Sequence, residues 1–323
     1  MQTSIQYSIL GLLVFGFVII GVFIGPSDLS MREILAGLLR QNQLISQTIV
    51  WEIRIPRILV SIIVGNCLGL AGILIQLSTR SSLGDPNLFG IGGGAAIFIA
   101  AGFGGLFIIS SFFSLIGCII SSTLVAIGLS MLISTPNLSA TKLALMGIAV
   151  AALTISIGIA IISHGRVFPT QIIGLVSGSF TSSNWENVFY LLITFSFCIA
   201  ISISMASKFF AIMLGDILTK SLGVNPIKIR LFAMTIVGIL SGVSVFAGGI
   251  IGFVGLVSPH ISRRLFGNST IHLIISSSLI GGLITLFADQ LARLLFAPSE
   301  LPVGLATTIL GAPAMMYLAL KVK

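Results

Sequence analysis

The sequence predicts an all-α, polytopic membrane protein with about ten transmembrane helices and both termini in the cytoplasm. Three observations carry this. Of the 323 residues, 56% are hydrophobic and 7% charged, with a mean hydropathy of +1.18. An ordinary globular domain carries about a quarter charged residues, so this chain lacks the polar surface to cover a soluble globule of its size. Apolar runs of about 20 residues, the length that crosses a hydrocarbon layer, recur along the whole chain. The lysines all fall in intervals that emerge on one side.

On that ruler, spans are expected at 7–25, 56–78, 88–109, 112–134, 140–163, 187–206, 230–249, 252–266, 271–295 and 302–320. The eighth is short and parted from the seventh only by the Gly248-Gly249 region. Residues 1–6 hold no basic residue and no small-residue cleavage site follows, so the first run reads as a helix and not a signal peptide. Residues 31–48 are amphipathic, with Ser30 placed as an N-cap. A short apolar piece is expected at 169–180.

Orientation follows from the bases. With a cytoplasmic N-terminus, the inside carries Arg80, Lys142, Lys208, Lys220, Lys228, Arg230, Arg263, Arg264, Lys321 and Lys323, and the outside Arg32, Arg40, Arg54, Arg57, Arg166 and Arg293. The formal net charge of +8 is therefore spread between apolar runs. Such scatter fits membrane topology and not a nucleic-acid surface.

Cys67, Cys118 and Cys198 each sit inside an apolar run, with no CxxC pair or His cluster that would indicate a disulfide or zinc site. Gly65/Gly69, Gly90/Gly94, Gly174/Gly178, Gly238/Gly242 and Gly248/Gly252 are small-xxx-small pairs, which let helix backbones approach closely. Gly92-Gly93-Gly94 lacks the following Lys-Ser/Thr of a phosphate loop, and no Walker A motif exists in the chain. A faint internal echo relates Arg57, Gly65 and Gly69 to Arg230, Gly238 and Gly242, on helices that would run in opposite directions.

The polar residues within this apolar frame need an explanation. Arg54 and Arg57 share one helical face at an outer boundary and read either as interface anchors or, favoured because topology disfavours bases there, as facing an acidic partner. Asp289 and Arg293 form an i,i+4 pair, read either as self-neutralising or as part of the same surface. The interval 208–230 is the longest polar one on the cytoplasmic side. It has room for a short helix closed by Gly223, as expected of a docking loop. His260 and Gln76 read as helix-to-helix hydrogen-bonding groups as readily as functional ones, and neither is assigned as a metal ligand.

Arg54-Ile-Pro-Arg57 with Gly65, Gly72 and Gln76, Leu83-Gly84-Asp85-Pro86, Leu214-Gly215-Asp216 through Leu222-Gly223-Val224, Gly252 to Arg263, and Glu300-Leu-Pro-Val-Gly304 occur in order over nearly the whole chain. Together they resemble the permease family of bacterial ABC importers for iron–siderophore complexes, haem and vitamin B12. The resemblance implies a vitamin B12 permease-like helical fold in the cell membrane, formed by residues 1–323 as one domain. It implies a transport subunit that is not itself an enzyme. A second permease subunit would enclose the path with it, a non-identical homologue in first place and a second copy of this chain in second.

Two ATPase subunits would dock at Gly215, Asp216, Leu222 and Gly223, and an extracytoplasmic binding protein at Arg54, Arg57 and Arg293. ATP belongs to the partner, and no cofactor is expected on this chain. Iron–siderophore is the first cargo implied, with haem or vitamin B12 as the alternative. Ser81-Ser82 and Gly84 depart from the family's Asn-Pro and alanine, and Thr219-Lys220 from its alanine. An ion-coupled secondary transporter would place carboxylates at mid-membrane, whereas every acid here falls near a boundary. An intramembrane enzyme would need paired catalytic groups at depth, and none is evident.

Overall fold

The computed structural model describes residues 2–23, 25, 29–40, 44–105, 110–133, 140–164, 174–295 and 300–321, and every regular element among them is helical. In chain order these are α1 (Gln2–Phe23), α2 (Met31–Leu38), α3 (Leu44–Thr48) running through a π-helical turn (Ile49–Arg54) into α4 (Ile55–Thr79), α5 (Ile91–Phe103), α6 (Ser111–Ile133) and α7 (Ala140–His164). They continue as α8 (Trp185–Ser204), α9 (Ala206–Met213), α10 (Asp216–Ser221), α11 (Pro226–Gly248), α12 (Val254–Phe266), α13 (Thr270–Leu294) and α14 (Val303–Lys321).

Among the described residues, seven segments are helical, long and apolar enough to cross a membrane: Thr3–Phe23, Ile45–Thr79, Ser111–Ile133, Leu145–Ser163, Trp185–Ser204, Pro226–Gly248 and Thr270–Leu294. Ile91–Phe103 and Val303–Pro313 are shorter apolar helices. The run expected to span at 88–109 is corrected, because Gly90 takes a left-handed φ of 72° and the helix starts only at Ile91. Its thirteen residues cover about 20 Å at 1.5 Å per residue, short of a hydrocarbon core of about 30 Å. The eighth expected span is α12, also thirteen residues. Ser30 caps α2 in a full capping box with Glu33. The piece expected at 169–180 starts among residues outside the described ones.

Two antiparallel helix pairs organise the bundle. α4 is buried along nearly its whole length and lies against α13. A Cβ on Gly65 would sit 2.3 Å from the Gly281 carbonyl oxygen, and one on Gly69 2.2 Å from that of Ser277. In the second pair, a Cβ on Gly238 would meet Thr123 Cα at 2.5 Å and one on Gly242 the Cys118 carbonyl oxygen at 2.7 Å, so α11 lies on α6 in the same manner. The two glycine pairs of the internal echo thus do equivalent work, each seating its helix on a long helix from the other half of the chain. Arg230 at the start of α11 bonds the Ser78 carbonyl at the end of α4, so those two helices run in opposite directions.

Between α11 and α12 the chain leaves helical geometry at Gly249 (φ 70°) and re-enters it through Phe253 (φ 68°), a left-handed aromatic residue. The interval is tied down by Ile250 N–H to the Leu175 carbonyl and by Asn87 Nδ2 to the Ile251 carbonyl. All three cysteines are buried and free.

A Cβ has room at Gly16, with nothing within 4 Å, and none at Gly65. Gly65→Leu is expected to abolish recovery of monodisperse protein in size-exclusion chromatography, while Gly16→Ala leaves it unchanged. Overpacking of this kind typically costs about 1–3 kcal/mol or more.

Candidate functional site

Charge collects at the two ends of α4. At its start, Arg57 donates Nε and Nη2 to Asp289 of α13 (3.1 and 2.9 Å to Oδ1) and Nη1 to Glu300 (2.8 Å to Oε2). Arg293, one turn beyond Asp289, approaches it at 3.2 Å (Nε to Oδ2). That contact is an ion pair without hydrogen-bond alignment, since Arg293 Nε and Nη2 make no hydrogen bond. Two arginines and two carboxylates therefore neutralise one another in a single cluster. Burying an unpaired charge inside a protein is strongly unfavourable, and pairing is what permits this burial.

Arg54 acts differently. Its Nη1 donates to the carbonyls of Val22 (2.6 Å) and Phe23 (3.4 Å), the last residues of α1. A cation at a helix C-terminus satisfies carbonyls that have no intrahelical partner. Gly25 leaves the space, because a Cβ there would lie 3.0 Å from the guanidinium carbon.

All three arginines expected at the outer boundary are buried within the chain. Arg54, Arg57 and Arg293 are 4%, 5% and 3% exposed. The expected acidic partners exist within this chain, with Asp289 wholly buried and the Glu300 side chain 23% exposed. The i,i+4 spacing identified the Asp289–Arg293 contact, whereas Glu300 lies 243 residues from Arg57 and no local pattern could join them.

At the other end of α4, Asp216 accepts from both Arg80 Nη2 and Arg230 Nη2, the latter at 2.6 Å. Arg80 Nε also donates to the Ile212 carbonyl at 2.8 Å, and Arg230 Nε to that of Ser78 at 3.2 Å. Burial by itself would raise the Asp216 carboxyl, but Arg230 and Arg80 outweigh it and hold it below the usual range. The interval expected to hold one short helix carries two, α9 and α10. Gly215 breaks them at φ 110° and Gly223 closes α10 at φ 75°. Leu214, Ile217, Leu218 and Leu222 are all exposed, Ile217 at 83%. Thr219, by contrast, is buried and donates to the Ala211 carbonyl at 2.7 Å.

In the last turn of α4, Gln76 is buried, with Oε1 accepting from Arg263 at 2.6 Å and Nε2 donating to the Gly84 carbonyl at 3.3 Å. His260 Nδ1 is buried without a hydrogen bond. No group of three His, Cys, Asp or Glu among the described residues could hold a metal. A cavity of about 440 Å³ opens beside the end of α11, lined by Phe103, Leu175, Ser179, Thr181, Ser182 and Gly248 among others.

The family profile described as the FecCD transport family matches residues 12–321. The chain belongs to the FecCD transport family. It is 33% identical over 99% of its length to the Fe(3+)-citrate import system permease protein YfmD of Bacillus subtilis, covering 96% of that protein. With the iron(3+)-hydroxamate import system permease protein FhuB of the same organism, identity is 32%, over 93% of this chain and 79% of that one. A solved ABC transporter of the metal-chelate type, in an inward-facing conformation, superposes with a TM-score of 0.83 at 27% identity. That match covers 99% of this chain and all of the other. The sequence motifs of this FecCD chain and its fold thus lead to the same assignment.

Asp85, in the turn between α4 and α5, was not singled out for its chemistry. It is 1% exposed, and its Oδ1 accepts from the amides of Asn87 (2.9 Å) and Leu88 (3.0 Å). Oδ2 faces the first turn of α12 without an aligned hydrogen bond. Burial pushes this carboxyl up to about 6, although the neighbouring amides pull the other way.

Two outcomes are expected. Asp289→Ala, which takes the paired carboxylate from buried Arg293 and leaves Arg57 with Glu300 alone, should destabilise the detergent-solubilised protein by about 3–5 kcal/mol. Glu300→Gln should cost much less, because Glu300 is partly solvated, and thermal unfolding checks the ranking. A folded-state carboxyl near 6 against 3.8 binds its proton more tightly than the unfolded chain does, so its contribution falls as pH rises from about 4 to 6 and is flat above. The melting temperature of Asp85→Asn minus that of the wild type should therefore grow over that window and then level off.

Proposed function

We propose that this chain is the membrane-spanning permease subunit of an ATP-driven importer, carrying a ferric siderophore or related iron chelate into the cell. Membership of the FecCD family supports the class. The named roles of the citrate and hydroxamate relatives support the cargo. The observation that carries the mechanism is the exposed apolar group Leu214, Ile217, Leu218 and Leu222, with Ile217 and Leu218 on the six-residue α10, Leu222 at its C-cap and Leu214 just before Gly215. Apolar side chains presented in this way, at an end of the molecule rich in lysine, fit a soluble partner and not lipid.

In this reading the Asp216 end faces the cytoplasm together with both termini, and a pair of separate ATPase subunits docks on α10. A second permease completes the path. The extracytoplasmic binding protein docks at the opposite end, which carries Arg54, Arg57 and Arg293. Because these arginines are engaged within the chain, their part in docking is to shape that end through the Asp289–Glu300 cluster, and any direct contact requires Arg57 to exchange Glu300 for the partner's acid.

The test is uptake of radiolabelled ferric citrate and ferric hydroxamate by proteoliposomes holding the complex that co-purifies with this chain. Uptake should require ATP and the co-purified ATPase. Accumulation driven by an ion gradient alone would replace this reading with a secondary transporter. Ile217→Asp should reduce ATPase co-purification about tenfold or more, as expected for loss of a central apolar anchor. Gly223→Val should impair it too, because a β-branched residue at φ 75° is strained.

A further inference from the structure

α10 is weakly attached to the bundle. Of its six residues only Thr219 is buried, and Thr219 bonds back to Ala211 and Gly215, within its own segment. Gly215 and Gly223 flank it in left-handed conformations, with no atom within 4 Å of where a Cβ would stand. Such a helix can shift as a unit. What fastens it to membrane-spanning helices is Asp216, whose Oδ1 is shared by Arg80 at the C-terminus of α4 and Arg230 in the first turns of α11. Each arginine is fixed at a second point by its Nε–H, to Ile212 and to Ser78 respectively. The guanidinium groups are thus oriented before the carboxylate meets them.

We propose that Asp216, Arg80 and Arg230 form the joint through which movement of α10 reaches α4 and α11, with Asp216 a positioning residue that acts inward and not a contact with the ATPase. The assignment rests on the importer reading above. Three features favour transmission over simple stability. The Asp216 side chain is 44% exposed, and single solvated pairs contribute little to stability. One carboxylate oxygen bridges two helices that belong to opposite halves of the internal echo. Those two helices are seated on α13 and α6 by backbone-to-backbone glycine contacts, so a displacement at their ends is carried along rigid, closely packed elements. α11 leads from this joint to Gly248, at the rim of the cavity that holds Thr181.

The experiment needs no knowledge of the cargo. Thr181→Cys places an exposed thiol at the far end of α11, while the native cysteines are buried. In the complex purified with its ATPase subunits, the rate at which a maleimide labels position 181 is compared without nucleotide and with ATP plus vanadate. With Asp216 intact, trapping should change the rate about fivefold or more, the scale of ordinary intersite coupling. Asp216→Asn should lose most of that change, and so should Arg80→Gln, which lies outside the docking helix and should leave ATPase co-purification and hydrolysis within about twofold of normal, while Asp216→Glu should keep the response.

The double variant Asp216→Arg with Arg230→Asp should recover part of the response, which a purely structural loss would not. A labelling change that survives in Asp216→Asn overturns the proposal. So does parallel loss of ATPase binding in both Asp216→Asn and Arg80→Gln, since the carboxylate would then serve assembly. Absence of any co-purifying ATPase, or of any nucleotide response with Asp216 intact, would instead overturn the importer reading on which the joint depends.

Discussion

A charge buried inside a protein must meet counter-charge or aligned polar groups there, and in this chain that requirement governs the start of α4. Arg57 follows the proline that opens the helix, and its guanidinium is met by Asp289 and Glu300. Since Asp289 belongs to α13, the ion cluster sets the register of the α4–α13 pair. Glycine contacts then hold that register closely enough that carbonyl oxygens of one helix lie in the space a Cβ on the other would need. Lipid supplies no hydrophobic drive between helices, so electrostatic pinning with close van der Waals contact is the available means of defining one arrangement.

The opposite end of α4 solves a different problem. There a carboxylate serves two arginines, leaving an excess of positive charge and a more solvated site. A buried neutral cluster at one end and an exposed shared joint at the other give α4 one fixed end and one adjustable end. That asymmetry suits a helix that must stay anchored while a soluble partner acts on a loop beside it. The broken backbone from Gly249 to Phe253 has a similar character. In its middle, the Ile250 N–H and the Ile251 carbonyl are satisfied by Leu175 and Asn87 from other segments, as non-helical backbone inside a membrane protein needs.

The order of the long apolar helices, their all-α class and the family were legible in the chain, because membrane-spanning length and apolar composition are local properties, whereas the expected number of spans was not matched by helices of full spanning length. So was the capping of α2 by Ser30, and so was the approach of Arg293 to Asp289, four residues away. The internal echo of Arg57 and Arg230 was visible as spacing alone. The structure shows its meaning in two antiparallel helix pairs, each seated on glycines.

What only the tertiary structure decided is which charges are exposed. Position along the chain put Arg54, Arg57 and Arg293 at a boundary, and from a boundary a free surface and an internal clamp look alike. Their fate depends on carboxylates and carbonyls brought in from residues 22, 23, 289 and 300, contacts that no local pattern encodes. The same holds for Asp216, which the sequence placed on a docking loop and the fold turned inward to Arg80 and Arg230. Hydropathy is summed residue by residue and therefore speaks from the sequence. Ion pairing between distant segments depends on distances that only the folded chain sets.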